Sequence, residues 1–228
     1  MPVLVKICGL NTDAALDAAL QSGADLVGFV FFSPSPRHLD FAAAATLAAR
    51  VNGRAGKVAL SVDADDAAFD AMVAAIRPDM LQLHGKEPPA RVSELKARFG
   101  LPVMKAIPVE TAADLSAVAA YAAVADRIIF DARAPRAATR PGGLGKSFDW
   151  HLLEHVESRV PFLLSGGLDA GNVGEALRIT RASGVDVSSG VERAPGEKDP
   201  EKIRAFVAAA RGAIRNGEAR RGAVAADT

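Results

Sequence analysis

The sequence has little of several residue types and no excess of either charge. Its 228 residues include one cysteine (Cys8), one tryptophan and one tyrosine. A single cysteine excludes an internal disulfide framework and a zinc site built from several cysteines. Lys and Arg number 27 and so do Asp and Glu, which gives a formal net charge of zero. General binders of nucleic acid or of anionic membranes carry a basic excess, so neither partner is expected.

Long apolar runs are also lacking. No run is long enough to span a bilayer, and the N-terminus Met1–Lys6 has no basic region followed by a long apolar stretch. Half of the residues are nevertheless hydrophobic, which is enough to bury one sizeable core. We therefore expect a reduced, cytoplasmic, globular protein. Monomer and homodimer both remain open.

Short apolar runs alternate along the chain with longer Ala-rich segments that have helical spacing. Each apolar run is hydrophobic at nearly every position, which is typical of a parallel strand covered on both faces. The predicted strands are Val3–Ile7, Leu26–Phe31, Lys57–Val62, Met80–Leu83, Val103–Ala106, Arg127–Phe130, Pro161–Leu164 and Val185–Val187. The predicted helices are Thr12–Ser22, Phe41–Val51, Asp66–Ile76, Pro89–Phe99, Ala112–Ala122, Trp150–Val156, Asn172–Ala182 and Asp199–Ile214.

This alternation predicts an α/β fold with one parallel sheet and right-handed crossovers. Eight units in 228 residues give about 28 residues each, which suits a small single-domain (β/α)8 TIM barrel. A doubly wound sheet is the rival, but no G-x-G-x-x-G turn follows the first strand. We place the barrel at residues 1–216 and predict a flexible tail over Gly217–Thr228.

Glycine-rich turns follow three of the strands, at the barrel end where active sites are built. Ser165-Gly166-Gly167 and Ser188-Ser189-Gly190 fall in the seventh and eighth loops, the usual phosphate site of such barrels. We expect Gly166, Gly167, Ser189 and Gly190 to bind phosphate, the alternative being tight turns without a ligand. The third stretch, Pro141–Lys146, suits either a lid over the substrate or a disordered loop.

Two candidate acid–base groups lie at strand ends on opposite sides of the predicted barrel. Cys8 is either a buried, inert thiol or a general base, and Lys6 two residues earlier would place a cation near its sulfur. That cation and the start of the first helix would lower the pKa of the thiol. Asp131 is either a general acid or a residue that caps a helix or fixes a loop.

Two further side chains are candidate ligand contacts. Arg37 lies in a loop stiffened by Pro34 and Pro36 and suits a bidentate clamp on a carboxylate or phosphate, or a plain surface position. His84 suits a ligand contact or a structural role. The four histidines are scattered and no metal motif is present, so we expect no metal site.

Several blocks of the sequence together resemble the phosphoribosylanthranilate isomerase family of tryptophan biosynthesis. The resemblance runs in order from about Val3 to Ile214, with mild departures at Leu144 and Ser147, where the family often has Thr. The blocks are K-I-C-G-L at 6–10, G-F-V-F at 28–31 with S-P-S-P-R at 33–37, L-Q-L-H-G at 81–85, G-G-L-G-K-S-F-D-W at 142–150, L-S-G-G-L at 164–168 and V-D-V-S-S-G-V-E at 185–192.

The resemblance implies a cofactor-independent Amadori rearrangement of a small phosphorylated substrate, N-(5-phosphoribosyl)anthranilate. It implies Cys8 as general base, Asp131 as general acid and Arg37 near the anthranilate carboxylate. The motifs that carry the resemblance complete the expected substrate-binding set, which is Arg37, Lys6, Gln82, His84, Gly142, Gly143 and Asp186.

Two other functions stay open at this point. The related histidine-pathway isomerase performs the same rearrangement, but it typically has an aspartate where Cys8 stands and phosphate sites in both halves of the barrel. A catalytically silent phosphate-binding barrel is the second alternative, and a turnover assay separates it from an enzyme.

Overall fold

A computed structural model describes residues 3–135 and 137–226, with side chains described as far as residue 213. Eight parallel strands form a closed barrel in the chain order β1 to β8, so the predicted (β/α)8 barrel is confirmed. Their bounds are β1 Leu4–Cys8, β2 Leu26–Phe31, β3 Gly56–Ser61, β4 Met80–Leu83, β5 Val103–Val109, β6 Arg127–Ala132, β7 Phe162–Leu164 and β8 Gly184–Val187.

Within the described residues, seven α-helices cover the barrel. Three of them begin at a side-chain cap: the side chains of Thr12, Asp40 and Asp65 each accept a hydrogen bond from the backbone N–H three residues later. The helices are α1 Asp13–Gln21, α2 Phe41–Val51, α3 Asp66–Ile76, α4 Pro89–Phe99, α5 Val118–Ala122, α6 Val173–Thr180 and α7 Pro200–Ala226.

The structure differs from the predicted elements in the second half of the chain. The helix predicted over Ala112–Ala122 is a 3-10 turn, Ala112–Ala117, followed by α5, and the one predicted at Trp150–Val156 is a single 3-10 turn, Trp150–Leu153. An antiparallel hairpin, β9 (Glu192–Ala194) and β10 (Glu197–Lys198), was not predicted. The last helix continues past Ile214 to Ala226. Flexibility of Gly217–Thr228 stays a prediction, since Asp227 and Thr228 lie outside the described residues.

Alternation along each strand divides the side chains between two packing regions. The outer face packs on the helices in one large apolar core. The inner face is apolar at the amino ends of the strands, where Val58, Met80, Met104, Ile129 and Leu163 form a cluster. Two residues further along, three of these five strands carry the polar side chains Gln82, Asp131 and Ser165, whereas Leu60 and Ala106 remain apolar. A step of two residues along the strands therefore separates the apolar cluster from the layer that holds these polar side chains.

No helix in the described part of the chain is long and apolar enough to cross a membrane.

Candidate active site

A cavity at the carboxyl ends of the strands collects most of the predicted site residues. It is lined by Cys8 from β1, Asp131 from β6 and the loops that follow β2, β6, β7 and β8. Of the predicted residues, Arg37, His84, Gly142, Gly143, Gly166, Gly167, Asp186, Ser189 and Gly190 also line it. Lys6 and Gln82 do not; both are fully buried beneath this layer.

Strand register explains the surroundings of Cys8. Cys8 lies opposite Gly28 of β2, and Lys6 lies opposite Asp186 of β8. The Lys6 Nζ donates a hydrogen bond to Asp186 Oδ1 at 2.8 Å, in an ion pair that is almost completely buried. Burial works to lower the pKa of Lys6, but Asp186 and Cys8 outweigh it and hold that pKa above its ordinary value. Lys6 is therefore a fixed cation beside the sulfur.

The pKa of the Cys8 thiol is shifted in the direction opposite to the one expected from the sequence. Burial raises this pKa above its ordinary value, and the neighbouring Lys6 ammonium opposes the shift without reversing it. The thiol is therefore mainly protonated at neutral pH.

Asp131 lies within a short chain of polar side chains. Its Oδ1 accepts from the backbone N–H of Ala132 at 3.0 Å, and its Oδ2 lies 3.1 Å from His84 Nε2. The Gln82 Nε2 lies 3.2 Å from His84 Nδ1 on the other side of the ring. Gln82 Oε1 is buried without a hydrogen-bond partner among the described residues. The predicted contact residue His84 thus also links Asp131 to Gln82.

The three glycine-rich segments converge on one side of the cavity. Gly190 lies so close to the carbonyl of Leu168 that no Cβ fits there. Gly167 has φ +66°, and a Cβ on it would lie 2.8 Å from the backbone nitrogen of Ser147 in the segment after β6. Glycine is therefore required where these backbones meet, and the close approach brings the loops after β7 and β8 together.

The glycine-rich segment after β6, for which a lid and a disordered loop were both open, lies directly over Asp131, His84 and Arg37. A Cβ on Gly142 would lie 2.8 Å from His84 Nε2, and one on Gly143, where φ is +69°, would lie 2.5 Å from Arg37 Nη1. The Gly143 carbonyl also accepts a hydrogen bond from Arg37 Nη2 at 3.1 Å. Side chains at these two positions would displace the groups below them.

Arg37 forms the bidentate contact that its sequence context suggests, but with a residue of the chain itself. Its Nε and Nη2 donate to Glu192 Oε1 and Oε2, each at 2.7 Å. Among the described residues Nη1 makes no hydrogen bond, and it faces the Gly143 end of the cavity. Nη1 is therefore the part of the guanidinium that these contacts leave unengaged.

Sequence reasoning missed two buried charged residues near the cavity, Glu192 and Lys198. Glu192 closes a block quoted for the resemblance, but only its burial against Arg37 indicates a role. Lys198 lies in the unpredicted hairpin and carries no motif signal of its own. No group of three or more His, Cys, Asp or Glu side chains suited to a metal is found within residues 3–135 and 137–213.

Comparisons with known proteins agree on one family. The family model described as "PRAI: N-(5'phosphoribosyl)anthranilate (PRA) isomerase" matches residues 5–209. The N-(5'-phosphoribosyl)anthranilate isomerase of Rhodopseudomonas palustris strain BisA53 is 66% identical over 211 residues, which are 92% of this chain and 97% of that protein. That of Bradyrhizobium diazoefficiens is 64% identical over 92% of this chain and 95% of its own length.

Solved structures give the same result. The phosphoribosyl anthranilate isomerase of Thermotoga maritima superposes with a TM-score of 0.82 at 33% identity and covers 92% of this chain and 99% of its own. A phosphoribosyl anthranilate isomerase in complex with reduced 1-(o-carboxyphenylamino)-1-deoxyribulose 5-phosphate superposes with a TM-score of 0.79 at 31% identity, with the same two coverages. The chain belongs to the N-(5'-phosphoribosyl)anthranilate isomerase family.

Proposed function

We propose that this protein converts N-(5-phosphoribosyl)anthranilate to 1-(2-carboxyphenylamino)-1-deoxyribulose 5-phosphate, an Amadori rearrangement of tryptophan biosynthesis. The observation that carries the proposal is the placement of Cys8 and Asp131. They come from β1 and β6 and line one cavity, so they can act on different atoms of one bound substrate.

In the first step, Asp131 donates a proton to the furanose ring oxygen. The C1′–O bond then breaks, and the nitrogen lone pair forms the C1′=N bond of a protonated imine. For this step Asp131 carries the transferable proton. The Nε2–H of His84, 3.1 Å from Asp131 Oδ2, donates to that oxygen and stabilises the carboxylate that is left after the transfer. The Nδ1 of His84 in turn accepts from Gln82 Nε2 at 3.2 Å.

In the second step, the fraction of the enzyme whose Cys8 has lost its thiol proton to solvent uses the thiolate to remove the proton from C2′. The electrons of that C–H bond form the C1′=C2′ bond, the iminium nitrogen accepts the displaced pair, and the resulting enolamine tautomerises to the ketone. The iminium is the electron sink, so the reaction needs no cofactor. Lys6, held by Asp186, stabilises the thiolate when it forms.

The two anionic ends of the substrate provide the binding energy that orients the reacting carbons. We assign the phosphate to the backbone N–H groups of Gly166, Gly167, Ser189 and Gly190. We assign the anthranilate carboxylate to Arg37 Nη1. The glycine-rich segment Gly142–Gly145 covers the substrate and excludes water from the imine.

The experiment that tests the proposal is loss of phosphoribosylanthranilate fluorescence on addition of the purified protein. We expect first-order decay whose rate is proportional to protein concentration. The matched control is a Cys8→Ser, Asp131→Asn double variant with an unchanged circular dichroism spectrum. If micromolar wild-type protein does not speed the decay above the uncatalysed rate, the proposed activity is wrong and a phosphate-binding barrel without this activity remains.

A further inference from the structure

A cluster of three buried charged side chains lies behind the cavity. The Glu192 carboxylate accepts two hydrogen bonds from Arg37 and a third, at 2.7 Å, from Lys198 Nζ. Arg37, Glu192 and Lys198 are 3%, 7% and 5% exposed. Burial tends to raise the pKa of Glu192, but the hydrogen bonds from Arg37 and the charge of Lys198 outweigh it and leave that pKa below its ordinary value. The cluster carries two positive charges and one negative.

Lys198 extends this cluster to the turn after β8. Its Nζ also donates to the backbone carbonyl of Ser188 at 2.8 Å and contacts Ser188 Oγ at 3.1 Å. Ser188 Oγ in turn donates to the carbonyl of Cys8 at 3.2 Å. Ser188 directly precedes Ser189 and Gly190, which we assign to the phosphate. One ammonium group therefore contacts both the partner of Arg37 and the start of the phosphate turn.

The β9–β10 hairpin fixes the other side of the cluster. At its turn Gly196 has φ +86°, and a Cβ there would lie 2.5 Å from the carbonyl oxygen of Pro36. The Asn11 side chain donates to the Gly196 carbonyl at 2.9 Å. The hairpin thus packs against the residue next to Arg37, so the loop and the cluster are held as one unit.

Stability alone is a poor reason for such a cluster. Buried ion pairs rarely stabilise a fold more than apolar side chains of the same volume, because the charges lose their hydration. A fixed cationic edge beside a cavity for a trianionic substrate is, in contrast, a direct gain for binding, because the site needs little reorganisation when the ligand arrives.

We propose that Glu192 and Lys198 are positioning residues that hold the two anion-binding ends of the site at a fixed separation. Glu192 sets the orientation of the Arg37 guanidinium for the substrate carboxylate. Lys198 ties Glu192 to Ser188 and so to the phosphate turn. The inference rests on the proposed function for the identity of the two anionic ends.

The test measures binding of two probes that do not react. Inorganic phosphate reports on the phosphate turn alone, and reduced 1-(o-carboxyphenylamino)-1-deoxyribulose 5-phosphate reports on both ends. We expect Glu192→Gln to weaken the two-ended probe about 10- to 100-fold, the equivalent of one charge-assisted hydrogen bond, and to leave phosphate binding unchanged. We expect Lys198→Met to weaken both probes at least about tenfold.

Lys202→Met is the matched control. The exposed Lys202 donates to the backbone carbonyl of Glu192 at 2.7 Å but does not touch the carboxylate, so both probes should bind to this variant as to the wild type. If Glu192→Gln fails to fold, the Glu192→Gln, Lys198→Met double variant keeps the cluster at a net charge of one positive and serves in its place. In that variant we expect weaker binding of both probes.

A pH series adds a readout that a merely structural role would not change. Burial lowers the pKa of Lys198 to about 8, against the opposing effect of Glu192, and the other titratable groups that face it are Arg37 and Cys8. Phosphate affinity of the wild type should therefore fall as the pH rises through about 8. Lys198→Met retains Glu192, Arg37 and Cys8 and should lack this step.

The outcomes separate the two proposals. Folded Glu192→Gln and Lys198→Met proteins that bind both probes within about threefold of wild type would overturn the positioning role. Equal weakening of phosphate and of the two-ended probe by Glu192→Gln would overturn it as well. If the wild type binds both probes but does not consume phosphoribosylanthranilate, the proposed activity fails while the positioning result stands.

Discussion

Cys8 and Gly28 face each other across β1 and β2, and the missing side chain of Gly28 provides the space for the reactive sulfur. A Cβ at position 28 would lie 3.0 Å from Cys8 Sγ and 3.1 Å from Lys6 Nζ. The glycine therefore fixes how closely the thiol and its neighbouring cation can sit.

Gly28→Ala should lower kcat about threefold to tenfold, because Cys8 and Lys6 must each move by a few tenths of an ångström. The melting temperature should change little. Gly212→Ala, at a helical position with nothing within 4 Å of the added carbon, is the control and should retain full activity. Wild-type kcat in Gly28→Ala would show that the spacing of thiol and ammonium does not limit the reaction.

Cys8→Ser should reduce kcat by about 10²- to 10⁴-fold with little change in stability, because the hydroxyl is similar in size but a far weaker base. Steady-state kinetics and thermal unfolding of the same preparation measure the two effects. Near-wild-type turnover in a folded Cys8→Ser protein would assign the base to another group.

The pH dependence of wild-type kcat/KM tests the state of the thiol. Burial raises the pKa of Cys8, so the thiolate fraction, and with it kcat/KM, should increase with pH until the pH exceeds that raised pKa. Alkylation of Cys8 should speed up over the same pH range and slow down when inorganic phosphate and the reduced product analogue are bound. A rate that is flat from pH 7 to pH 9.5 would contradict a buried, protonated thiol in the free enzyme.

Asp131→Asn should reduce kcat by about 10²- to 10⁴-fold, because an amide has no transferable proton for the ring oxygen. The substituted side chain retains an oxygen for the Ala132 N–H, so the fold should be preserved. Asp126→Asn is a control at the opposite end of β6, where the carboxylate binds Lys96 and the Val103 N–H, and it should change stability but not kcat.

Gln82→Met should lower kcat about tenfold and leave KM nearly unchanged, because Gln82 contacts His84 but does not line the cavity. The measurement is the ratio of the two constants. A large rise in KM at constant kcat would show that Gln82 acts on substrate binding rather than on the protonation of Asp131.

Ser189→Asp should abolish phosphate binding by placing a carboxylate where the phosphate is expected. Inorganic phosphate should raise the melting temperature of the wild type by mass action and have no effect on this variant. Ser183 is exposed at the far end of β8, so in the control variant Ser183→Asp phosphate should still raise the melting temperature. Equal protection of both proteins would place the phosphate elsewhere.

The barrel could be predicted because its signals are local. Each apolar run overlaps the strand that it defines, and most of the Ala-rich segments with helical spacing overlap an α-helix. The helix predicted after β6 is only a 3-10 turn, because the long segment that covers the cavity takes up most of that connection. The apolar pattern at Trp150–Val156 is too short to distinguish an α-helix from a 3-10 turn.

The sequence predicted which residue types form the candidate site, but it did not predict which side chains pair with each other. Strand ends placed Cys8 and Asp131 at one end of the barrel. Their neighbours depend on contacts between residues far apart in the chain: Lys6 with Asp186, and Arg37 with Glu192. The direction of the shift in the pKa of Cys8 could not be predicted, because it is set by complete burial of the thiol more than by the neighbouring lysine.

The pairing of β1 with β8 has a consequence for the order in which the site is made. Lys6 and Cys8 emerge first during synthesis, but the groups that hold them, Asp186 and Ser188, follow 180 residues later. A nascent chain that stops before β8 has a cation on its first strand with no counter-ion and a cysteine without its fixed carbonyl contact. The reactive end of the barrel is therefore completed only when almost the entire chain has been made.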